Sequence, residues 1–149
     1  MTRLSGSSSA EIDVGIDRCW AIVEDLSQAP SWQDGLEEVT VVERDGEGRP
    51  LVCDTVTDAK FRRVACRVRL SYDPPRRMTF TRISGDVPEM EGSWELEPLG
   101  PERTRATYTL TLDPGRLGLL ARPLEKALRP VIVGGRAEEL ARALGARTT

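Results

Sequence analysis

The sequence predicts an α+β fold: a curved antiparallel sheet of seven strands with one long helix at its C-terminal end. Three observations carry this. Between Leu36 and Leu112, short segments alternating apolar with polar residues follow one another, parted only by turn residues. Evenly spaced strands without helices between them make an antiparallel sheet. From Leu117 to Leu144, apolar residues recur at three- and four-residue steps, the mark of an amphipathic helix. Four consecutive strands also keep their apolar residues on one face, which needs a cover.

The elements follow in order. Ala10, Ile12 and Val14 alternate with Glu11 and Asp13, which predicts the first strand, and residues 1–7, polar and serine-rich, are expected to be disordered. Asp17 is placed to cap a helix running to about Asp25, with Trp20 and Val23 on one face; Ser27 is placed to cap a second, shorter piece that stops near Pro30. Strands are then expected at Leu36–Arg44, Leu51–Ala59, Phe61–Tyr72, Arg77–Ile83, Glu89–Leu96 and Arg103–Leu112. Their turns are Asp45–Gly48, Asp73–Arg76, Gly85–Asp86 and Pro98–Glu102, all rich in Gly, Pro and Asp. Pro123 and Pro130 should kink the final helix, and Gly134 and Gly135 weaken it. No repeat or linker divides the chain, so residues 1–149 are expected to form one domain.

One face of the sheet carries Val64, Cys66, Val68, Leu70 and Tyr72, then Met78, Phe80 and Arg82, then Met90, Gly92, Trp94 and Leu96, then Ala106, Tyr108, Leu110 and Leu112. The other face carries rows of Arg, Glu and Thr that can pair across strands. Turn lengths align Phe80, Gly92 and Tyr108 in one row, Arg82, Met90 and Leu110 in the next, and Met78, Trp94 and Ala106 on the other side. Gly92 then leaves a gap in a bulky wall, a place for a bulge, a close approach or a ligand. A curved sheet around one helix leaves an apolar cavity between them, the usual form of a small-molecule site.

Composition narrows the chemistry. Histidine is absent, which excludes Ser-His-Asp and Cys-His mechanisms and the commonest metal ligand. No metal site and no cofactor is expected. A net charge of −3 gives no pull toward nucleic acid. Cys19, Cys53 and Cys66 are odd in number and lack C-x-x-C spacing, which fits a reducing cytoplasm and small core residues. There is no secretory signal pattern and no apolar run of transmembrane length, so no integral membrane association is expected. The glutamates of the outer face have nothing near them to raise a pKa, so they do not read as paired catalytic acids.

In combination, several marks resemble the START-like, helix-grip (SRPBCC) superfamily of polyketide cyclases/dehydrases and lipid-transfer proteins. They are Ile-Asp-x-x-x-x-Trp-x-x-x-x-Asp-Leu ending at Leu26, Pro30 and Trp32 after it, and Tyr-Asp-Pro-Pro-Arg-Arg ending at Arg77. Glu-Gly-Ser-Trp-Glu-Leu at Glu91–Leu96, Thr-Arg-Ala-Thr-Tyr at Thr104–Tyr108 and the C-terminal amphipathic helix complete them. The resemblance implies a strand, two short helices, six more antiparallel strands and a long helix, with a cavity between sheet and helix. It also implies that an aromatase/cyclase would use an interior arginine on the strand before the Asp-Pro turn. Leu70 holds that position here, and Arg67 and Arg69 point outward by parity.

The candidate ligand-binding residues are Arg82, Tyr108, Trp94, Met90, Phe80, Met78, Gly92, Trp32, Leu124 and Leu128. Arg82 is the one charged group well inside an apolar face, so it can meet a ligand carboxylate, phenolate or enolate; near a strand end it can equally snorkel to water. Tyr108 offers a hydroxyl to the cavity or packs as core. Met78, Phe80, Met90 and Trp94 form the wall, Leu124 and Leu128 face it from the helix, and Trp32 stands at the mouth. The expected function is binding of a hydrophobic small molecule, lipid-like or aromatic, by a cytoplasmic monomer or homodimer. One alternative is a polyketide cyclase or dehydratase in which Arg82 stabilises an enolate; another is a regulatory protein-interaction module. No catalytic residue is assigned.

Overall fold

In the computed structural model, the structure describes residues 3–58, 62–113, 115 and 135–148. The strands are β1 (Leu4–Ile12), β2 (Leu36–Arg44), β3 (Pro50–Asp58), β4 (Arg63–Asp73), β5 (Arg77–Gly85), β6 (Glu89–Gly100) and β7 (Arg103–Asp113). They form one sheet in the order β1-β7-β6-β5-β4-β3-β2, every neighbour antiparallel. Helix α1 (Ile16–Val23) and a 3₁₀ helix (Leu26–Ser31) link β1 to β2, and α2 (Arg136–Ala143) follows the sheet. Most of the predicted long helix, with Leu124 and Leu128, falls outside the described residues; within its expected span the structure describes the short helix α2.

The first strand starts earlier than its alternation suggests. Leu4–Ser7, expected to be disordered, pair with Leu112–Thr109 of β7. Backbone pairing along an edge does not need apolar side chains, and serines find partners here. Ser5 and Ser9 meet the hydroxyls of Thr111 and Thr107 at 3.2 and 3.1 Å, a cross-strand pairing typical of sheets. Ser8 points inward, is buried, and its hydroxyl accepts the Ala137 N–H of α2.

Two expected caps are also displaced. Gly15, not Asp17, precedes α1 and supplies no side-chain bond, and Asp17 sits in the first turn, where the helix dipole favours it. A Cβ on Gly15 would stand 2.6 Å from the Pro101 carbonyl oxygen, so the close approach of the β6–β7 turn decides that position. The 3₁₀ helix is capped by Asp25, which accepts the Ser27 N–H, rather than by Ser27.

The inner face matches the alternation. Cys66, Val68, Leu70, Met78, Trp94, Leu96, Ala106, Tyr108, Leu110 and Leu112 are all buried. β5 meets β6 in the expected register, with Met78 opposite Trp94 and Phe80 opposite Gly92. β6 meets β7 two residues away from it: Trp94 faces Tyr108 and Gly92 faces Leu110. The hairpin closes tightly, with Gly100 opposite Arg103 and a bulge after Pro98, instead of through a Pro98–Glu102 loop. A shift of two residues keeps each side chain on its face and changes only its neighbours.

Gly92 leaves no ligand-sized gap. A Cβ there would lie 2.2 Å from Phe80 Cζ and 2.8 Å from the Thr109 carbonyl oxygen. The Phe80 ring therefore lies across the glycine, filling the space that the bare strand leaves. Gly92→Ala is expected to destabilise the protein by about 1–3 kcal/mol, as overpacking does. In Phe80→Ala the added methyl should cost less, which a double-mutant cycle by urea denaturation reads; an equal cost in both backgrounds refutes the packing.

On the outer face, Arg67 makes a two-pronged pair with Asp54, Arg77 meets Glu95, and Arg105 lies between Glu11 and Glu97. Arg67 and Arg105 hold Asp54 and Glu11 below the usual carboxylate range. Exposed pairs of this kind contribute little each and fix register more than stability.

Candidate ligand cavity

The inner faces of β3 to β7, with Leu26 and Gln33 from the β1–β2 connection, Leu36 at the start of β2 and Arg136 from α2, line a cavity of about 120 Å³. Its wall is Val68 on β4, Met78 and Phe80 on β5, Met90 and Trp94 on β6, and Leu110 and Leu112 on β7. An apolar cavity of about 150 Å³ accepts a benzene ring, so the described space suits a body of about that size. Polar side chains enter at two places. Thr55 and Thr57 come from β3, and the Thr55 hydroxyl already donates to the Cys66 carbonyl. Gln33, Tyr108 and Arg136 meet where α2 approaches the end of the 3₁₀ helix.

That second corner is tightly built. The rings of Trp32 and Trp94 are 5.9 Å apart, Trp94 and Tyr108 5.1 Å, and Phe80 and Tyr108 6.3 Å. The Arg136 guanidinium lies 5.5 Å from the centre of the Tyr108 ring, a cation–π distance. Arg136 Nη1 donates to Glu139 Oε1 at 2.8 Å and to the Asp34 carbonyl at 3.3 Å. The Asp34 N–H in turn donates to Glu139 Oε2 at 2.8 Å, tying α2 to the 3₁₀ connection. The side chains of the ion pair are only 6% and 9% exposed, so it is a buried pair in the energetic sense. Arg136 Nε and Trp32 Nε1 are buried without an acceptor among the described residues. An unmet buried donor costs about 1–3 kcal/mol. Burial pushes the Tyr108 hydroxyl above its ordinary range, and the nearby Arg136 charge opposes this in part.

Arg82, the sharpest candidate in the sequence, is not brought to this cavity. It sits opposite Val68, next to the bulge at Arg67, and its guanidinium turns to the strand end. There it donates to the Gly85 carbonyl at 3.3 Å and borders a separate depression with Arg3 and Glu89. A long side chain near the end of its strand reaches water more cheaply than it reaches the interior. Met78, Phe80, Met90, Trp94 and Tyr108 do line the cavity. Gly92 lies beneath Phe80, and Trp32 packs on Trp94 behind the lining. Leu124 and Leu128 fall outside the described residues.

Arg136 and Gln33 were missed by sequence reasoning. The signal for Arg136 was present: Leu124, Leu128 and Ile132 extend in four-residue steps to Arg136, Leu140 and Leu144, so a charge stands in an apolar stripe. Gln33 gave none. The three thiols are buried and free, and burial pushes Cys53 up to about 11, so these are packing residues and not activated nucleophiles. Leu70 is buried on the inner face, whereas Arg67 pairs with Asp54 outside and Arg69 is exposed.

A seven-stranded antiparallel sheet that closes on a C-terminal helix segment and encloses an apolar space defines a START-like, helix-grip protein. The chain belongs to the polyketide cyclase / dehydrase and lipid transport family, whose model matches residues 12–134. Solved structures agree on the fold. A START superfamily protein from Mycobacterium smegmatis is 18% identical, with a TM-score of 0.67, over 86% of this chain and 96% of that one. The Zhui aromatase/cyclase from Streptomyces sp. R1128 is 18% identical, with a TM-score of 0.65, over 89% and 98%. TTHA0849 from Thermus thermophilus is 24% identical, with a TM-score of 0.71, over 95% and 92%. At these identities the likeness shows the fold alone. No curated protein matches the sequence. Among the described residues no helix is long and apolar enough to cross a membrane.

Proposed function

We propose that this protein binds a hydrophobic small molecule in the cavity between its sheet and its C-terminal helix. The observation that carries this is the cavity itself: an apolar wall from four strands, β4 to β7, with polar side chains confined to two places. That is the usual composition of a small-molecule site. The family supports hydrophobic ligands in general. The cavity volume favours a compact ring-bearing ligand over a long acyl chain. Three buried free thiols support a reducing, cytoplasmic setting.

A polyketide cyclase or dehydratase is the second reading, favoured by the fold shared with the Zhui aromatase/cyclase and with the di-domain ARO/CYC BexL. Leu70, where the resemblance implies an interior arginine, counts against it. Binding is therefore the simpler reading of the site.

Native mass spectrometry of protein purified from its own host, together with titration of an anilinonaphthalene dye, tests the proposal. A co-purifying apolar ligand, or saturable dye binding that Val68→Phe weakens at least tenfold by filling the cavity, is the expected result. An empty protein that binds no dye at millimolar concentration refutes it.

A further inference from the structure

The polar corner of the cavity holds a charge that is already answered. Among the described lining residues Arg136 is the one charged side chain, and Glu139 neutralises it at 2.8 Å. Glu139 is not free to leave: its second oxygen accepts the Asp34 N–H. A ligand carboxylate entering here would place a second negative charge beside Glu139 with no second cation among the described lining residues to meet it, and a buried unpaired charge is the costliest group to accommodate. What the corner lacks is acceptors. Among the described residues Arg136 Nε is a buried donor without a partner, and burial keeps the Tyr108 hydroxyl in its protonated form. A hydrocarbon would leave that donor unmet, and a neutral oxygen would meet it without changing the charge.

We propose that the occupant carries a neutral hydrogen-bond acceptor, a ketone- or ester-type carbonyl, seated at the Arg136–Tyr108 corner, and that the Arg136–Glu139 pair selects it over a carboxylate of the same shape. This rests on the binding function proposed above and names its ligand class. The ring or chain of the ligand lies along Phe80, Val68 and Leu110, and the carbonyl oxygen points to α2.

Three probes of similar shape test it: acetophenone, ethylbenzene and benzoate, titrated at pH 7 by NMR shifts of the indole and methionine methyl signals. Acetophenone should bind about tenfold more tightly than ethylbenzene, and benzoate more weakly than acetophenone. Because removing one member of the pair threatens folding, the variant is Arg136→Met/Glu139→Leu, which replaces both by apolar groups. There the preference for acetophenone over ethylbenzene should vanish while ethylbenzene binding persists. Equal binding of acetophenone and ethylbenzene to the wild-type protein overturns the carbonyl assignment and leaves hydrophobic binding standing. So does tightest binding by benzoate, or a preference unchanged in the double variant. Binding of none of the three overturns both readings.

Discussion

Glu139→Leu is expected to destabilise the protein by about 3–5 kcal/mol, whereas Arg136→Met/Glu139→Leu should lie within about 2 kcal/mol of wild type. The reason is the asymmetry of buried charge. With Glu139 gone, the Arg136 guanidinium remains buried beside Tyr108 with only neutral oxygens, such as the Asp34 carbonyl, to accept from it. The cation must then stay desolvated or tear the start of α2 from the sheet, where Ala137 and Leu140 are fully buried. The double variant removes the stranded charge and replaces it with apolar volume, and its main loss is the acceptor of the Asp34 N–H. Urea denaturation with linear extrapolation measures both. A single variant that loses under about 1 kcal/mol, or a double variant no better than the single, contradicts the account.

Trp94→Ala is expected to cost about 3–5 kcal/mol, the range for removing a large buried aromatic. Trp94 is 1% exposed and stands in the row Met78–Trp94–Tyr108, with the Trp32 ring on one side and the Tyr108 ring on the other. Its loss removes two aromatic contacts as well as its own burial. The cavity beside it prevents the neighbours from closing the hole at no cost. Trp94→Phe, which keeps ring contacts and part of the volume, should cost less than half as much. Thermal and urea unfolding of both variants provide the check, and equal losses would mean that volume next to the cavity does not matter.

Much of this molecule could be read from the chain. The seven strands, the inner set from Val64 to Leu112, the two short helices before Leu36 and the turns at Asp45 and Asp73 follow from alternation and turn chemistry. The misses have physical causes. Leu4–Ser9 form a strand because β7 offers free backbone groups at its edge, which serine-rich sequence does not announce. The wall residues Met78, Phe80, Met90, Trp94 and Tyr108 were legible because period-two alternation assigns a face. Arg82 had the right parity, but parity says nothing about a long side chain that can bend to a strand end.

The sequence by itself determined the architecture and the apolar face, because those depend on local periodicity and on which residues can form turns. It also removed histidine chemistry outright. The tertiary structure alone decided what fills the space under that face. Gly92 became the seat of the Phe80 ring because β5 and β6 pair in one register. Tyr108 came to face Trp94 because one hairpin closes two residues tighter than its prolines suggest. Arg136 became the charged residue among the cavity's described lining because α2 meets the 3₁₀ connection at Asp34, more than a hundred residues away in sequence. Local pattern fixes which face a residue occupies. Its neighbours across the core depend on register and chain closure, which no local pattern encodes.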